Sequence, residues 1–413
     1  MNNYKRVKLA CYTSNVTMSI VGNLSPVLFL AFHTLYGISY TALGFLVLVN
    51  FVTQLIIDLI FSLFSHKFNI PLAVKSAPIL GAVGLAVYAV CPMIFPDNTY
   101  LGILLGTVIF SAASGFNEVL ISPVVAAIPS ENPDGEMSKL HSVYAWGVVF
   151  VVAVSTLFLA AFGNDSWQIL ALLFALVPTA ACLLFWGSEL PPLETPEKAS
   201  GVLGFFKSKG LWICVLGIFL GGAAECTMAQ WCSGYIERAL GIPKVWGDLF
   251  GVAMFSIMLG LGRSLYAKYG KNIGKVLFFS AIGASVCYLT AAISGAAVVG
   301  LIACALTGFC TAMMWPGSLI AVSERFPHGG VMMFALMAAG GDLGASVGPQ
   351  LVGFITDKIK ESSAAVGVAA KMGITPEALG MKCGIFVGFM FSLAAVFVFL
   401  SIMVNRKKYI EKE

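Results

Sequence analysis

Long apolar runs alternate with short polar breaks from one end of this chain to the other. Runs of about 20 apolar residues are long enough to cross a bilayer as helices. In order they are Lys8–Phe32, Thr41–Phe64, Val74–Phe95, Leu101–Ile128, His141–Phe162 and Trp167–Trp186, then Trp212–Ile236, Asp248–Ala267, Val276–Ile293, Val298–Val322, Val331–Ile355 and Cys383–Val404. The pattern therefore predicts an all-α membrane protein of twelve transmembrane helices. The opening MNNYKRVKLACYTSN has a basic start like a signal peptide's. The apolar run behind it is too long for one and lacks a small-residue cleavage site, so it is read as the first helix.

The twelve spans fall into two similar halves. Residues 115–147 read GFNEVLISPVVAAIPSENPDGEMSKLHSVYAWG, and residues 308–340 read GFCTAMMWPGSLIAVSERFPHGGVMMFALMAAG. With an offset of 193, Gly115 falls on Gly308, Phe116 on Phe309, Pro123 on Pro316, Ser130 on Ser323, Glu131 on Glu324 and Gly147 on Gly340. These are mostly residues that fix backbone shape. The expected organisation is a pseudo-symmetric pair of six-helix halves, residues 1–187 and 211–413, joined by a polar linker, residues 188–210. The prolines and charges of SELPPLETPEKAS prevent a span there. Phe205 and Phe206 beside Lys207 and Lys209 suggest a short stretch lying on the membrane surface.

Charge sets the orientation. With the N-terminus inside, 18 of the 24 Lys and Arg fall on the cytoplasmic side. The expectation is both termini in the cytoplasm of a bacterial inner membrane. The 358–382 segment then becomes an outer loop with no usable motif. Composition agrees: 59% of residues are hydrophobic and only 11% charged, against about 25% charged in a soluble domain. A net charge of +4 is too small an excess to suggest nucleic acid. The ten cysteines show no metal-ligand or CxxC spacing, so neither disulfides nor metal is indicated, and no cofactor is expected.

Small residues recur every four positions at Gly102/Gly106, Gly217/Gly221 and Gly340/Gly344/Gly348, marking faces for close helix approach. The first two pairs read as static packing. The third interrupts a helix that also holds Asp342 and Pro349, and reads equally as a moving interface.

Polar groups inside the spans carry the chemistry, because hydrocarbon penalises them unless they face an interior or a water-filled cavity. The first half offers Asn23, then Asn50, Gln54 and Asp58 at i, i+4 and i+8, then Asn117, Glu118 and Tyr144. The second offers Glu225, Gln230, Trp231, Trp315 and Asp342. Each also has a structural reading: Asp58 pins a loop, His141 caps, Asp342 packs or gates, and the tryptophans fill space. Arg263 is placed near the cytoplasmic end of the eighth helix, which leaves no basic group at mid-depth to hold an anion.

With its two halves, cytoplasmic linker and the segment GRSLYAKYGKNIGK after the eighth helix, the chain resembles the major facilitator superfamily over nearly its whole length. The loop FSLFSHKFNIP after the second helix lacks that family's Asp-Arg pair. GFNEVLISPVV, LHSVYAWG, GGAAECTMAQW and GGDLGASVGP look most like the fucose permease group of sugar:proton symporters. That resemblance implies a monomeric secondary transporter moving a small-molecule substrate across the membrane by alternating access. A fourth-helix acid, here Glu118, would serve substrate and proton. The group's first-helix acid is missing, since NLSP (Asn23–Pro26) occupies that place, so Glu225 and Asp342 are the candidate second coupling groups. Sodium is the alternative coupling ion.

The residues themselves suit a neutral sugar. Carboxylates and amides can pair with hydroxyls, and an aromatic face can cover the ring. The candidate binding set is Asn23, Asn50, Gln54, Asn117, Glu118, Tyr144, Gln230, Trp231 and Trp315, with the sugar expected between the halves at mid-membrane. A polyspecific drug or other small-metabolite transporter is the alternative, favoured by 31 Phe and 16 Met. No HExxH, paired-aspartate or Ser/His constellation points to an enzyme.

Overall fold

In the computed structural model, residues 4–64, 68–130, 133–191, 208–326 and 330–410 are described. Most of the inter-half linker, 192–207, the loop after the second helix at 65–67, Glu131, Asn132 and His328 lie outside them. Among the described residues there is no strand. The helices are α1 Lys5–Tyr36, α2 Tyr40–Phe64, α3 Ile70–Ile94, α4 Thr99–Ala126, α5 Pro133–Phe162, α6 Trp167–Phe185 and α7 Lys209–Leu240. They continue with α8 Lys244–Gly247, α9 Met254–Tyr269, α10 Ile273–Ile293, α11 Ala297–Thr311, α12 Met314–Arg325, α13 Gly330–Glu361, α14 Ser363–Met372 and α15 Pro376–Ile410. Ten stretches among the described residues are long and apolar enough to span a bilayer by themselves. With α5, whose described apolar part is Trp146–Phe162, and the 32-residue α13, they make the expected twelve crossings.

Two crossings differ from a plain apolar run. The eighth begins at Lys244, ahead of its first apolar stretch. Pro243 sets the entry, and Lys244 Nζ lies 2.8 Å from the fully buried carboxylate of Asp248, one turn on. A π-helical turn, Asp248–Ala253, then joins α8 to α9. The tenth is broken after Thr311 and restarts at Met314. Pro316 lies in the first turn of the restarted helix, and with no N–H it cannot bond the carbonyl of Ala312 four residues back. The matching stretch of α4 continues unbroken to Ala126.

The chain forms two compact units, Met1–Tyr36 with Val49–Ala199, and Gly37–Leu48 with Ser200–Glu413. In the first, α3 and α4 touch backbone to backbone. A Cβ on Gly84 would stand 2.5 Å from the Phe110 amide, and one on Gly106 would stand 2.4 Å from Cα of Tyr88. In the second, α7 and α13 do the same along Gly340, Gly344 and Gly348. Without a hydrophobic drive between helices in lipid, such contact is what holds them.

The second unit also receives the first turns of α2. Asp357 of α13 accepts from the backbone N–H of Tyr40 (3.3 Å) and Thr41 (2.6 Å) and from Thr41 Oγ1 (2.7 Å), capping the positive end of that helix. Tyr40 Oη donates to Glu377, whose other neighbour is Arg238 at 3.7 Å. Asp357→Ala should lower stability by about 2 kcal/mol, the worth of a charged cap, and Asp357→Asn by less. Thermal midpoints of the detergent-solubilised variants check this.

The segment expected as an outer loop is largely helical. After α13 ends, Ser362 Oγ accepts from the Ala365 amide to start α14, and Gly373 (φ 67°) stops it. Thr375 Oγ1 then accepts from the Ala378 amide to start α15.

Candidate functional site

In the first unit a polar seam joins α2 to α4. Asn50 and Gln54 lie one turn apart on α2. Ser111 Oγ donates to Asn50 Oδ1 (2.5 Å), and Ser114 Oγ donates to Gln54 Oε1 (2.9 Å). The amides expected to bind substrate thus have protein partners that sequence reading passed over. Serines three residues apart on the inward face of a fourth span, opposite two amides, were the available signal. Asp58, one turn further along α2, is 4% exposed.

Glu118 lies on that same face of α4. Seven residues beyond Ser111, it is rotated from it by only about 20°, and it is exposed. The apolar exposed residues of α4, Leu101, Leu105 and Val108, are turned about 80–140° away. The acid therefore sits on the serine-bearing side of the helix, not on its apolar outer side. Beside it, Asn117 is 3% exposed, and its buried Nδ2 has no hydrogen-bond partner among the described residues.

A second seam joins α1 to α5. Asn15 Nδ2 donates to the Leu140 carbonyl (2.5 Å), and Ser19 Oγ to the Tyr144 carbonyl (2.9 Å). Asn23 is buried and turns its Nδ2 back to the Ser19 carbonyl (2.9 Å). Tyr144 is half-buried, its hydroxyl 3.4 Å from where a Cβ on Gly22 would stand. Asn23 and Tyr144 thus belong to one α1–α5 contact, apart from the α2–α4 seam.

In the second unit the centre is an ion pair. Glu225 stands in the middle of the 32-residue α7. Arg263 Nη2 reaches both its oxygens, at 3.1 and 3.3 Å. Arg263 Nε donates to the Ala312 carbonyl at 3.1 Å, the acceptor that Pro316 leaves without its helical donor. This corrects the sequence expectation. The backbone of Arg263 is near the end of α9, but its long side chain carries the charge to mid-depth, so a basic group is present there. Glu225 is correspondingly half of an ion pair, not a lone acid.

Trp315 follows the break and is half-buried. Its ring lies over Gly222 of α7 and Gly341 of α13, where a Cβ would stand 2.9 and 2.5 Å from it. Asp342, the next residue on α13, is 4% exposed. Gln230 is buried. Trp231 is 1% exposed and its indole N–H donates to the Pro349 carbonyl (2.9 Å). With no face open, Trp231 packs here and does not offer the stacking platform expected of it. No cluster of three metal-ligating side chains occurs among the described residues.

Twelve membrane-crossing helices with amides, acids and an arginine held inside them define a solute transporter. The chain belongs to the Major Facilitator Superfamily, whose family model matches residues 11–349. Solved structures share its fold. A bacterial homolog of the human lysosomal transporter Spinster, in an inward-facing unoccupied conformation, matches with a TM-score of 0.75 at 11% identity, covering 100% of this chain and 98% of that one. A D-xylose-proton symporter matches with a TM-score of 0.71 at 16% identity, covering 96% and 97%. The E. coli fucose:proton symporter FucP matches at 0.59 and 16%, covering 95% and 99%. No curated protein matches the sequence at a significant level.

Proposed function

We propose that this transporter moves a sugar-class solute by alternating access and couples it to protons through Glu118. The observation that carries the reading is the position of Glu118: a carboxylate at bilayer depth, exposed on the serine-bearing face of α4. An acid in that setting is costly unless it works on substrate or proton. Asn117, with an unused buried donor next to it, supplies a hydroxyl partner in the same unit. Among structures of the same fold, the xylose and fucose proteins are named as sugar:proton symporters, which supports the solute class. In the second unit, Gln230, Trp315 and Asp342 are the residues proposed for the solute. The Lys and Arg bias supports cytoplasmic termini in a bacterial inner membrane.

Counterflow of labelled hexoses and deoxyhexoses into proteoliposomes, with and without a proton or sodium gradient, tests the reading. Saturable sugar exchange that a proton gradient drives uphill is the expected result. Exchange of lipophilic cations with no sugar response would replace this reading by drug transport.

A further inference from the structure

Arg263 has donors to spare. Of its guanidinium groups, Nε is used on Ala312 and Nη2 on Glu225, while Nη1 donates to nothing among the described residues. The side chain remains 38% exposed. That exposure is not toward the apolar outer side of α9, because exposed Leu261 and Leu265 lie about 160° around the helix from Arg263. Space is also open beside it: a Cβ on Gly260, on the same side of α9, would meet nothing within 4 Å. The half-buried ring of Trp315 lies against Gly222, one turn before Glu225.

We propose that Arg263 is the carboxylate-binding residue of the solute site, and that the preferred solute is a sugar acid: a polyhydroxylated monocarboxylate such as a hexuronate or an aldonate. The inference rests on the sugar-class reading above and narrows it. Arginine suits the task because its planar fork can hold two carboxylates at once, one on each edge. Glu225 already occupies Nη2, so an incoming carboxylate takes Nη1. The charge count selects the solute. Glu225 and Arg263 together are neutral, so a single negative charge is tolerated, whereas a phosphate dianion would bring a second one beside Glu225, which among the described residues is paired with Arg263 alone. The polyol portion needs an aromatic face, which Trp315 of the same unit offers, and this separates the solute from a simple short-chain acid.

The test is equilibrium binding to the purified full-length protein in detergent, read by calorimetry and Trp fluorescence, with glucuronate, gluconate, glucose, lactate and inorganic phosphate as probes. Glucuronate or gluconate should bind at least tenfold more tightly than glucose, lactate and phosphate. Glu225→Gln removes the competing carboxylate while leaving an amide of the same shape. It should raise the preference for sugar acid over glucose severalfold, which a merely structural ion pair would not do. Arg263→Gln alone strands a carboxylate and can fail to fold. The double variant Glu225→Gln/Arg263→Gln is neutral throughout and should bind glucose and gluconate equally. Equal binding of glucose and gluconate by the unaltered protein overturns the inference and leaves the sugar reading standing. So does an acid preference that survives in the double variant, or phosphate binding as tightly as gluconate. If no sugar or sugar acid binds, both readings fall.

Discussion

Glu118→Gln abolishes uphill accumulation, bringing the inside-to-outside solute ratio to about one, while exchange down a gradient continues. The amide keeps the shape and the hydrogen-bonding capacity of the acid but has no proton to give up, so binding and translocation are separated from coupling. Side-by-side counterflow and gradient-driven uptake in proteoliposomes read the two properties from one preparation. A variant that still concentrates its solute would move the coupling role to Glu225 or Asp342. The expectation singles out Glu118 because it is exposed on the serine-bearing face of α4, whereas Asp342 is 4% exposed.

Gly344→Val prevents recovery of folded protein. A Cβ at Gly344 would stand 2.0 Å from the carbonyl oxygen of Phe219 and 3.0 Å from the amide nitrogen of Ala223. Both are backbone atoms in the middle of α7, which no rotamer change can move aside. Overpacking where side chains can yield costs about 1–3 kcal/mol; here two helices must separate along their length, so the loss exceeds that. Gel filtration after solubilisation should show aggregate in place of a monodisperse peak. Gly260→Ala is the matched control, since the added methyl enters open space, and it should elute like the unaltered protein. Survival of Gly344→Val with an unchanged profile would mean that α7 and α13 are not held by this contact.

The crossings were readable because a bilayer demands a minimum apolar length, and even the inserted charges did not obscure it. What could not be read were the places where one helix serves another. Hydropathy runs through Thr311–Met314 without a dip, and Pro316 does not mark the break, since Pro123 at the matching place leaves α4 whole. Arg263 was assigned by the position of its backbone, whereas its chemistry is set by a side chain that reaches Glu225 38 residues away in sequence. Asn50 and Gln54 were legible as polar positions, whereas their serine partners, Ser111 and Ser114, carry no weight in an apolar pattern. Trp231 was read as a ligand surface, and burial at 1% exposure gives it to the packing. Glu118 and Asn117 stood out from the start, since a polar pair in a long apolar run is visible without coordinates.

The Glu225–Arg263 pair also bears on how the chain is made. The acid reaches the membrane with α7, and its cation follows only 38 residues later. At about 5–20 residues per second, that is an interval of about 2–8 s. During that time α7 carries an ionisable group at its centre, where a charge opposes insertion by about 3 kcal/mol. The apolar residues of α7 must overcome that opposition unaided, until α9 enters the bilayer and supplies the counter-charge. The ion pair can thus form only after α7 has been made, when α9 follows it into the bilayer.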